Sequence, residues 1–245
     1  MAPRPQRPPT AESAPAESGR RAGLLPYILH PETFPRHVVI RATPHTVLVR
    51  DLFPKATVHL LLLPRSPAHR TLNPRDAFAD GAFLRLVQSE AAGAAALAAA
   101  ELKRLVSTRS ATVGARRAAE DAEDAAGAVP DDEAALPPDR DFAADVRVGV
   151  HAHPSMRHLH VHVISRDMCS DKVRHRRHYN SFNTPFFLPL ADFPLAPDDE
   201  RRESRFQNAN LARDLVCWRC GRGFGSRFAE LKEHLDVEFD AWSRI

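Results

Sequence analysis

One stretch of the chain concentrates the residues able to do chemistry. His158, His160 and His162 alternate with Leu159, Val161 and Val163 in a run that ends at Ile164. In a β-strand alternate side chains face opposite ways, so this spacing predicts three imidazoles on one face and an aliphatic row turned to a core. Same-face neighbours stand roughly 6.5–7 Å apart. A central ring can then meet one substrate atom while the outer rings reach the groups beside it. Imidazole titrates near neutrality, so such a row can supply a nucleophile, a proton donor and an orienting partner. A zinc-chelating H-x-H pair and a solvated polar face fit the same spacing, which by itself leaves all three readings open.

A second constellation lies near the C-terminus. Cys217 and Cys220 form C-x-x-C, thirteen residues separate Cys220 from His234, and Glu238 follows four positions on. Residues four apart share a helix face, so His234 and Glu238 can ligate one ion, and carboxylate oxygen is an accepted zinc ligand. The spacing predicts one structural zinc per chain, held by Cys217, Cys220, His234 and Glu238 with no open position. Phe224 and Leu231 fall where a small ββα unit would keep its core. With Cys169 the cysteines number three, which is no even disulfide framework; C-x-x-C then reads as a metal clip in a reducing compartment.

The elements that must position these groups can be read from the rest of the 245 residues. The predicted class is α+β. Residues 1–23 are rich in Pro, Ser and Arg and are expected to be a disordered tail. Tyr27–Phe34 predicts a short helix with an aromatic end. Strands are expected at His37–Ile40, Thr46–Arg50 and Thr57–Leu63, punctuated by Pro44, Pro54 and Pro64. Asn73-Pro74 is a favourable helix start, and Phe78, Leu86, Leu97 and Leu105 carry a long helix to about Val106, weakened at Gly81 and Gly93. Residues 107–141 are expected to be a disordered acidic insertion. Strands Asp145–His151 and His158–Ile164 follow, then a loop region over 165–185, a helix over 198–214 and a separate unit over 215–245. The predicted domains are therefore a catalytic domain at 24–200 and a zinc finger at 201–245.

Charge and hydropathy narrow the class of partner. Residues 120–141 carry nine acids and one base, so the overall charge of +3 conceals a basic body, which points to a polyanion. No run of 18 uncharged apolar residues is present, which excludes an ordinary transmembrane helix. The first residues lack an apolar core of the secretory type, so no signal peptide is expected.

The stretch Val148–Leu188 contains His151-Ala-His-Pro-Ser-Met-Arg157 followed by H-φ-H-φ-H-φ-φ, and it resembles the histidine triad superfamily. Together with Val47–Pro64 (VLVRDLFPKATVHLLLLP) and the finger, it resembles the aprataxin branch over nearly all of the chain from residue 24, outside the insertion. That resemblance implies a histidine-triad (HIT) domain with an antiparallel sheet and a long helix, followed by a ββα-like finger. It implies a nuclear DNA-repair hydrolase, monomeric and not membrane-bound, with no catalytic metal. Its substrate would be double-stranded DNA whose nicks or ends carry 5′-AMP from abortive ligation.

The resemblance also assigns roles. His160 would attack the AMP α-phosphorus and form a transient adenylyl-histidine. His158 and His162 would flank it, one holding its tautomer and both donating to phosphoryl oxygens. His151 would stand near the leaving phosphate and Ser155 would contact phosphate. Asp51 would accept from the ribose hydroxyls, Lys55 would neutralise phosphate, and His59 would support the triad. Phe34 would stack on the terminal base pair. Lys172, Arg174, Arg176, Arg177 and His178 would track the DNA backbone, with Arg177 where the family often has lysine. Arg219, Arg222 and Arg227 would form a basic face on the finger. Two rivals are a general nucleoside phosphoramidate or dinucleotide hydrolase, which the finger argues against, and a non-catalytic DNA-binding adaptor, which the complete triad argues against.

Overall fold

A computed structural model describes residues 22–124 and 140–244, without the side chains of 110–124. The tail expected over residues 1–23 lies outside the described residues except for Ala22 and Gly23. The chain opens with α1 (Leu25–Leu29) and a 3-10 turn at Pro31–Thr33, then β1 (Val39–Ala42), β2 (Thr46–Arg50) and β3 (His59–Pro64). Later come β4 (Val146–His151), β5 (Val161–Ser165) and β6 (Phe187–Pro189). These six strands form one sheet in the order β1-β2-β3-β5-β4-β6, every neighbouring pair antiparallel.

Alternation along the strands divides the sheet into two differently used faces. Leu60 and Leu62 of β3, with Val161 and Val163 of β5, join one buried cluster against the long helix α3 (Gly81–Asp124). That helix presents Phe83, Leu84 and Val87 and then a stripe of Ala91, Ala94 and Ala98. The small residues let it lie close to the sheet. The opposite face carries His59, Leu61, His162 and Ile164. Register sets Leu61 against His162 across β3–β5, and Gly149 against His162 across β4–β5. A Cβ on Gly149 would stand 2.4 Å from the Leu188 carbonyl oxygen and 2.7 Å from the Phe187 ring, so the strand needs glycine beside His162.

The helical region departs from expectation in two places. Asn73 does cap a helix, accepting from the Arg75 N–H, but that helix is the short α2 (Pro74–Ala77). A second cap, the Asp80 carboxylate accepting from Ala82 N–H and Phe83 N–H, starts α3 afresh. Helix α3 also continues past Val106 to Asp124, so residues 107–124 are not a disordered insertion. Their Ala, Arg and Glu content favours helix, and no proline intervenes before Pro130. Residues 125–139 lie outside the described residues. Arg140, at the end of the predicted insertion, is anchored: it pairs with Asp145 at 2.9 Å and lies 4.4 Å over the Trp242 ring.

After β5 the chain forms α4 (Arg176–Asn183), β6 and α5 (Ser204–Ala212). The finger is β7 (Leu215–Val216), β8 (Gly223–Gly225) and α6 (Phe228–Trp242). It is not the separate unit expected. Leu215, Cys217, Phe224, Leu231 and Leu235 share one buried cluster with Ile164, Tyr179, Phe182 and Phe187 of the first domain. Arg109 of α3 pairs with Asp240 and stacks over Phe239, both on α6. Among the described residues no helix is long and apolar enough to cross a membrane.

Candidate active site

The imidazole-bearing face of the sheet closes a cavity of about 630 Å³. His59, His151, His153, His160 and His162 line it, with Asp51, Lys55, Ser155, Arg177 and His178 around them. Its apolar lining is supplied by Leu24, Tyr27, Val49, Leu61 and Met156. The strand predicted from His158 begins only at Val161. Residues 158–160 are held instead by a bond from Leu159 N–H to the Arg70 carbonyl, 2.8 Å.

That displacement changes the roles of the triad. The His160 Nδ1 stands 2.8 Å from the carbonyl oxygen of His158. A carbonyl only accepts, so Nδ1 carries the proton and Nε2 keeps its lone pair. The His160 tautomer is thus set by the backbone of His158, not by a neighbouring imidazole. The His158 side chain is 1% exposed and is not among the residues lining the cavity. Burial holds the His160 pKa below the usual histidine value, and the His158 carbonyl and Asp51 only partly offset it. A lowered pKa favours the uncharged ring at neutral pH, with the lone pair on Nε2.

A second proton chain passes through His59. Its Nδ1 accepts from the Lys55 backbone N–H at 3.2 Å, so its proton sits on Nε2. His59 Nε2 is 3.0 Å from His162 Nδ1 and donates to it, which leaves the His162 proton on its own Nε2. That Nε2 is buried and has no hydrogen-bond partner. It is a preset donor. Burial pushes His59 down to about 4 and His162 well below the ordinary range, so both rings are neutral. Asp51 lies 3.6 Å from His59 Nδ1 and accepts the Phe53 N–H at 2.7 Å. Asp51, His59 and His162 come close enough to suggest a metal cluster, but the two His59 nitrogens and His162 Nδ1 are already engaged.

His151 packs its ring 4.4 Å from His162 and 4.6 Å from Phe182, with Nε2 buried and unpartnered. Burial first, then neighbouring His160, keeps its pKa well below normal. The Lys55 ammonium donates to the Phe53 carbonyl, and burial lowers its pKa. Ser155 and Arg177 are exposed at the rim. The His178 Nδ1 accepts from the Arg174 N–H at 3.2 Å, which places a proton on Nε2. Phe34 is partly buried 4.3 Å from Tyr27, on the edge of the cluster beneath α1. The sequence reading missed His153 and the aromatic wall of Phe182 and Phe186. The alternation H-A-H at 151–153 was the available signal for His153.

In the finger, the ligand atoms of Cys217, Cys220, His234 and Glu238 lie within 4.8 Å of one another. Cys220 Sγ is 3.1 Å from His234 Nε2, which is 3.2 Å from Glu238 Oε1. Donors on a tetrahedral zinc are separated by roughly 3.3–3.8 Å, so this set fits the ion. The Glu238 Oε2 is held by Arg219 at 2.6 Å, leaving Oε1 to face the site. Arg219 is therefore a support for the ligand rather than a free cation on the finger surface, and Arg227 is paired with Glu230. Arg222 remains exposed, 5.1 Å over Phe224. Gly221, at φ +75°, makes the turn after Cys220.

Tyr179 ties this site to the cavity. Its hydroxyl donates to the Val216 carbonyl and accepts from the Trp218 N–H, each at 2.9 Å, so it clasps the backbone on both sides of Cys217. One turn later on the same helix, Phe182 lies edge-on to His59, His151 and His162 at 4.6–5.5 Å.

Two family models match the chain: the HIT domain over residues 33–169 and the C2HE / C2H2 / C2HC zinc-binding finger over residues 183–241. The fold and site define a HIT-domain protein closed by a C-terminal zinc finger. The aprataxin-like protein of Saccharomyces cerevisiae is 31% identical over 222 residues, covering 90% of this chain and 96% of the relative. That of Schizosaccharomyces pombe is 31% identical over 224 residues, covering 91% and 82%. The chain belongs to the aprataxin family. Among solved structures, aprataxin ortholog Hnt3 in complex with DNA matches with a TM-score of 0.60 at 31% identity, over 91% of this chain and 96% of that one. Hnt3 from Schizosaccharomyces pombe matches with 0.60 at 29%, over 89% and 92%.

Proposed function

We infer that the protein is a DNA 5′-adenylate hydrolase that restores a 5′-phosphate at nicks and ends blocked by abortive ligation. The observation that carries this reading is the pair of fixed tautomers: an unprotonated Nε2 on His160 and a protonated Nε2 on His162. Solved Hnt3 structures in complex with DNA support a nucleic-acid substrate. Repair of that substrate in turn argues for a nuclear location.

In the first step the His160 Nε2 lone pair attacks the AMP α-phosphorus. A P–N bond forms, and the P–O bond to the DNA 5′-phosphate breaks. The positive charge that develops on the His160 ring is stabilised through Nδ1–H by the His158 carbonyl. His162 donates Nε2–H to a non-bridging oxygen, and His151, neutral by burial, stands beside the departing phosphate. Lys55 and Arg177 offset the phosphate charge. In the second step water forms a new P–O bond, the P–N bond breaks, and AMP leaves with His160 restored. One water proton passes to solvent. Splitting the displacement lets one enclosed site handle both halves. Asp51, which lines the cavity, accepts from the ribose hydroxyls in this reading.

Zinc, held by Cys217, Cys220, His234 and Glu238, would fix the finger's fold and take no part in phosphoryl transfer. The reading is tested with a nicked duplex carrying 5′-AMP. Wild-type protein should release AMP and leave a ligatable 5′-phosphate, whereas His160→Asn should release none while binding the duplex normally. AMP release by His160→Asn at near wild-type rates would refute it. Equal turnover of adenosine 5′-phosphoramidate and adenylated DNA would favour the general hydrolase instead.

A further inference from the structure

Behind the Phe182 wall of the catalytic cavity lies a second cleft of about 590 Å³, where β4, the end of α4 and the finger meet. Arg147, Arg166, Asn183, Thr184 and Trp218 supply its polar groups, Cys217 borders it from the finger side, and no carboxylate lines it. Arg147 sits two residues before Gly149 on the same face of β4. Its guanidinium lies 5.5 Å over the Phe187 ring, one terminal N–H donates to the Phe182 carbonyl, and the other terminal nitrogen reaches only the Met168 sulfur at 3.8 Å. Its Nε is buried with no hydrogen-bond partner, and Arg147 makes no ion pair with the described residues. The indole Nε1 of Trp218 is likewise buried and unpartnered. Arg166 is anchored at the edge by a bond from Nε to the Ala144 carbonyl, 3.1 Å.

Capping the end of α4 explains one of the five N–H groups of Arg147. It does not explain an enclosed positive charge with a second guanidinium facing the same space. Enclosure first, then Arg166 nearby, lowers the Arg147 pKa to about 10, with Tyr179 and the buried Asp167 offsetting only part of this at longer range, so it stays charged at neutral pH. A charge in such a setting is normally matched by an anion, and buried donors by an acceptor. A guanidinium fork suits the geometry of phosphate oxygens.

We propose that this cleft seats a backbone phosphate of the nucleic acid, apart from the phosphates handled at His160. The inference rests on the nucleic-acid substrate proposed above. Its ligand chemistry is phosphate, which a DNA strand or a free ion could supply, and the test separates the two.

Zinc-loaded protein labelled with ¹⁵N is titrated with an unadenylated nicked duplex and, separately, with inorganic phosphate at matched phosphate concentration. The duplex should shift the Trp218 indole resonance, with backbone resonances of β1 and β2, remote from the cleft, as the internal reference. Arg166→Ala should weaken duplex binding and reduce the slope of log K against log salt by about 0.9. Turnover of adenosine 5′-phosphoramidate should be unchanged in that variant. Arg147→Lys keeps a charge but loses the fork, and it should bind the duplex more weakly than wild type when both are assayed well below their melting temperatures. An unchanged duplex affinity and salt slope in Arg166→Ala would overturn the proposal. So would a Trp218 shift with inorganic phosphate and none with the duplex. Because no turnover of DNA is needed, loss of the adenylate-hydrolase reading alone would leave these results standing. Failure of the wild-type protein to bind the duplex would sink both.

Discussion

Replacing Tyr179 by Phe isolates the clasp between the zinc site and the catalytic cavity. The ring stays in the buried cluster, so packing is retained; only the hydroxyl goes. Two bonds of 2.9 Å are lost, leaving the Val216 carbonyl and the Trp218 N–H without their partner. Each orphaned group costs about 1–3 kcal/mol when sealed from water. Val216 is 48% exposed, so water can reach its carbonyl side and the lower end of that range applies. A total of about 2 kcal/mol follows, which is about 30-fold in an equilibrium constant. Because folding and metal binding are coupled in small zinc units, the loss should appear as weaker zinc binding. Competition against a chromophoric chelator at pH 7 measures it directly. The melting temperature should fall in excess zinc as well, since the finger shares its core with the first domain. Zinc affinity and melting temperature both equal to wild type would show that the hydroxyl bonds carry no coupling, and the argument would fail.

Three further expectations follow from the geometry. Gly149→Ala forces a Cβ against the Leu188 carbonyl and the Phe187 ring and should cost about 1–3 kcal/mol by thermal unfolding; an unchanged melting temperature would mean that β6 yields freely. His59 is held down to about 4 by burial, so its folded value lies below the unfolded 6.5. Its contribution is therefore full above pH 6.5 and lost as pH falls, about 3 kcal/mol by pH 4, and denaturant unfolding at pH 7 and pH 4.5 should show this slope removed in His59→Gln. Glu238→Ala should weaken zinc in the chelator assay whereas Glu238→His should retain it; full zinc occupancy in Glu238→Ala would remove Glu238 from the ligand set.

Much of the site was legible because its signals are local. The alternation through Val161–Ile164 and the C-x-x-C with His234 and Glu238 depend on periodicity within one element. What was not legible depends on contacts between distant segments. The entry into β5 is held by the Arg70 carbonyl, eighty-nine positions from Leu159, so the sequence pattern extended the strand three residues too far, to His158. The role of His59 emerges only once β3 and β5 lie side by side and Lys55 turns its N–H toward the ring. The second helix start is a competition between two caps, Asn73 and Asp80, and only the second leads into the long helix. Residues 107–124 looked disordered because an Ala-rich segment has little to bury, yet helix propensity and the Arg109–Asp240 contact extend α3. The fusion of finger and first domain escaped notice because Tyr179 read as part of a basic loop, not as a hydroxyl placed between Val216 and Trp218.

The central claim is that His160 Nε2, bared by the bond from Nδ1 to the His158 carbonyl, forms the covalent bond to AMP. Rapid quench of wild-type protein with 5′-adenylated nicked duplex, followed by peptide mass spectrometry under non-acidic conditions, reads that bond directly. The account predicts an AMP adduct on the peptide containing His160, localised to that residue, lost on acid treatment and absent in His160→Asn. An adduct on His151 or His162, or full turnover through single-turnover time points with no adduct and with solvent oxygen incorporated by direct inversion at phosphorus, would contradict it.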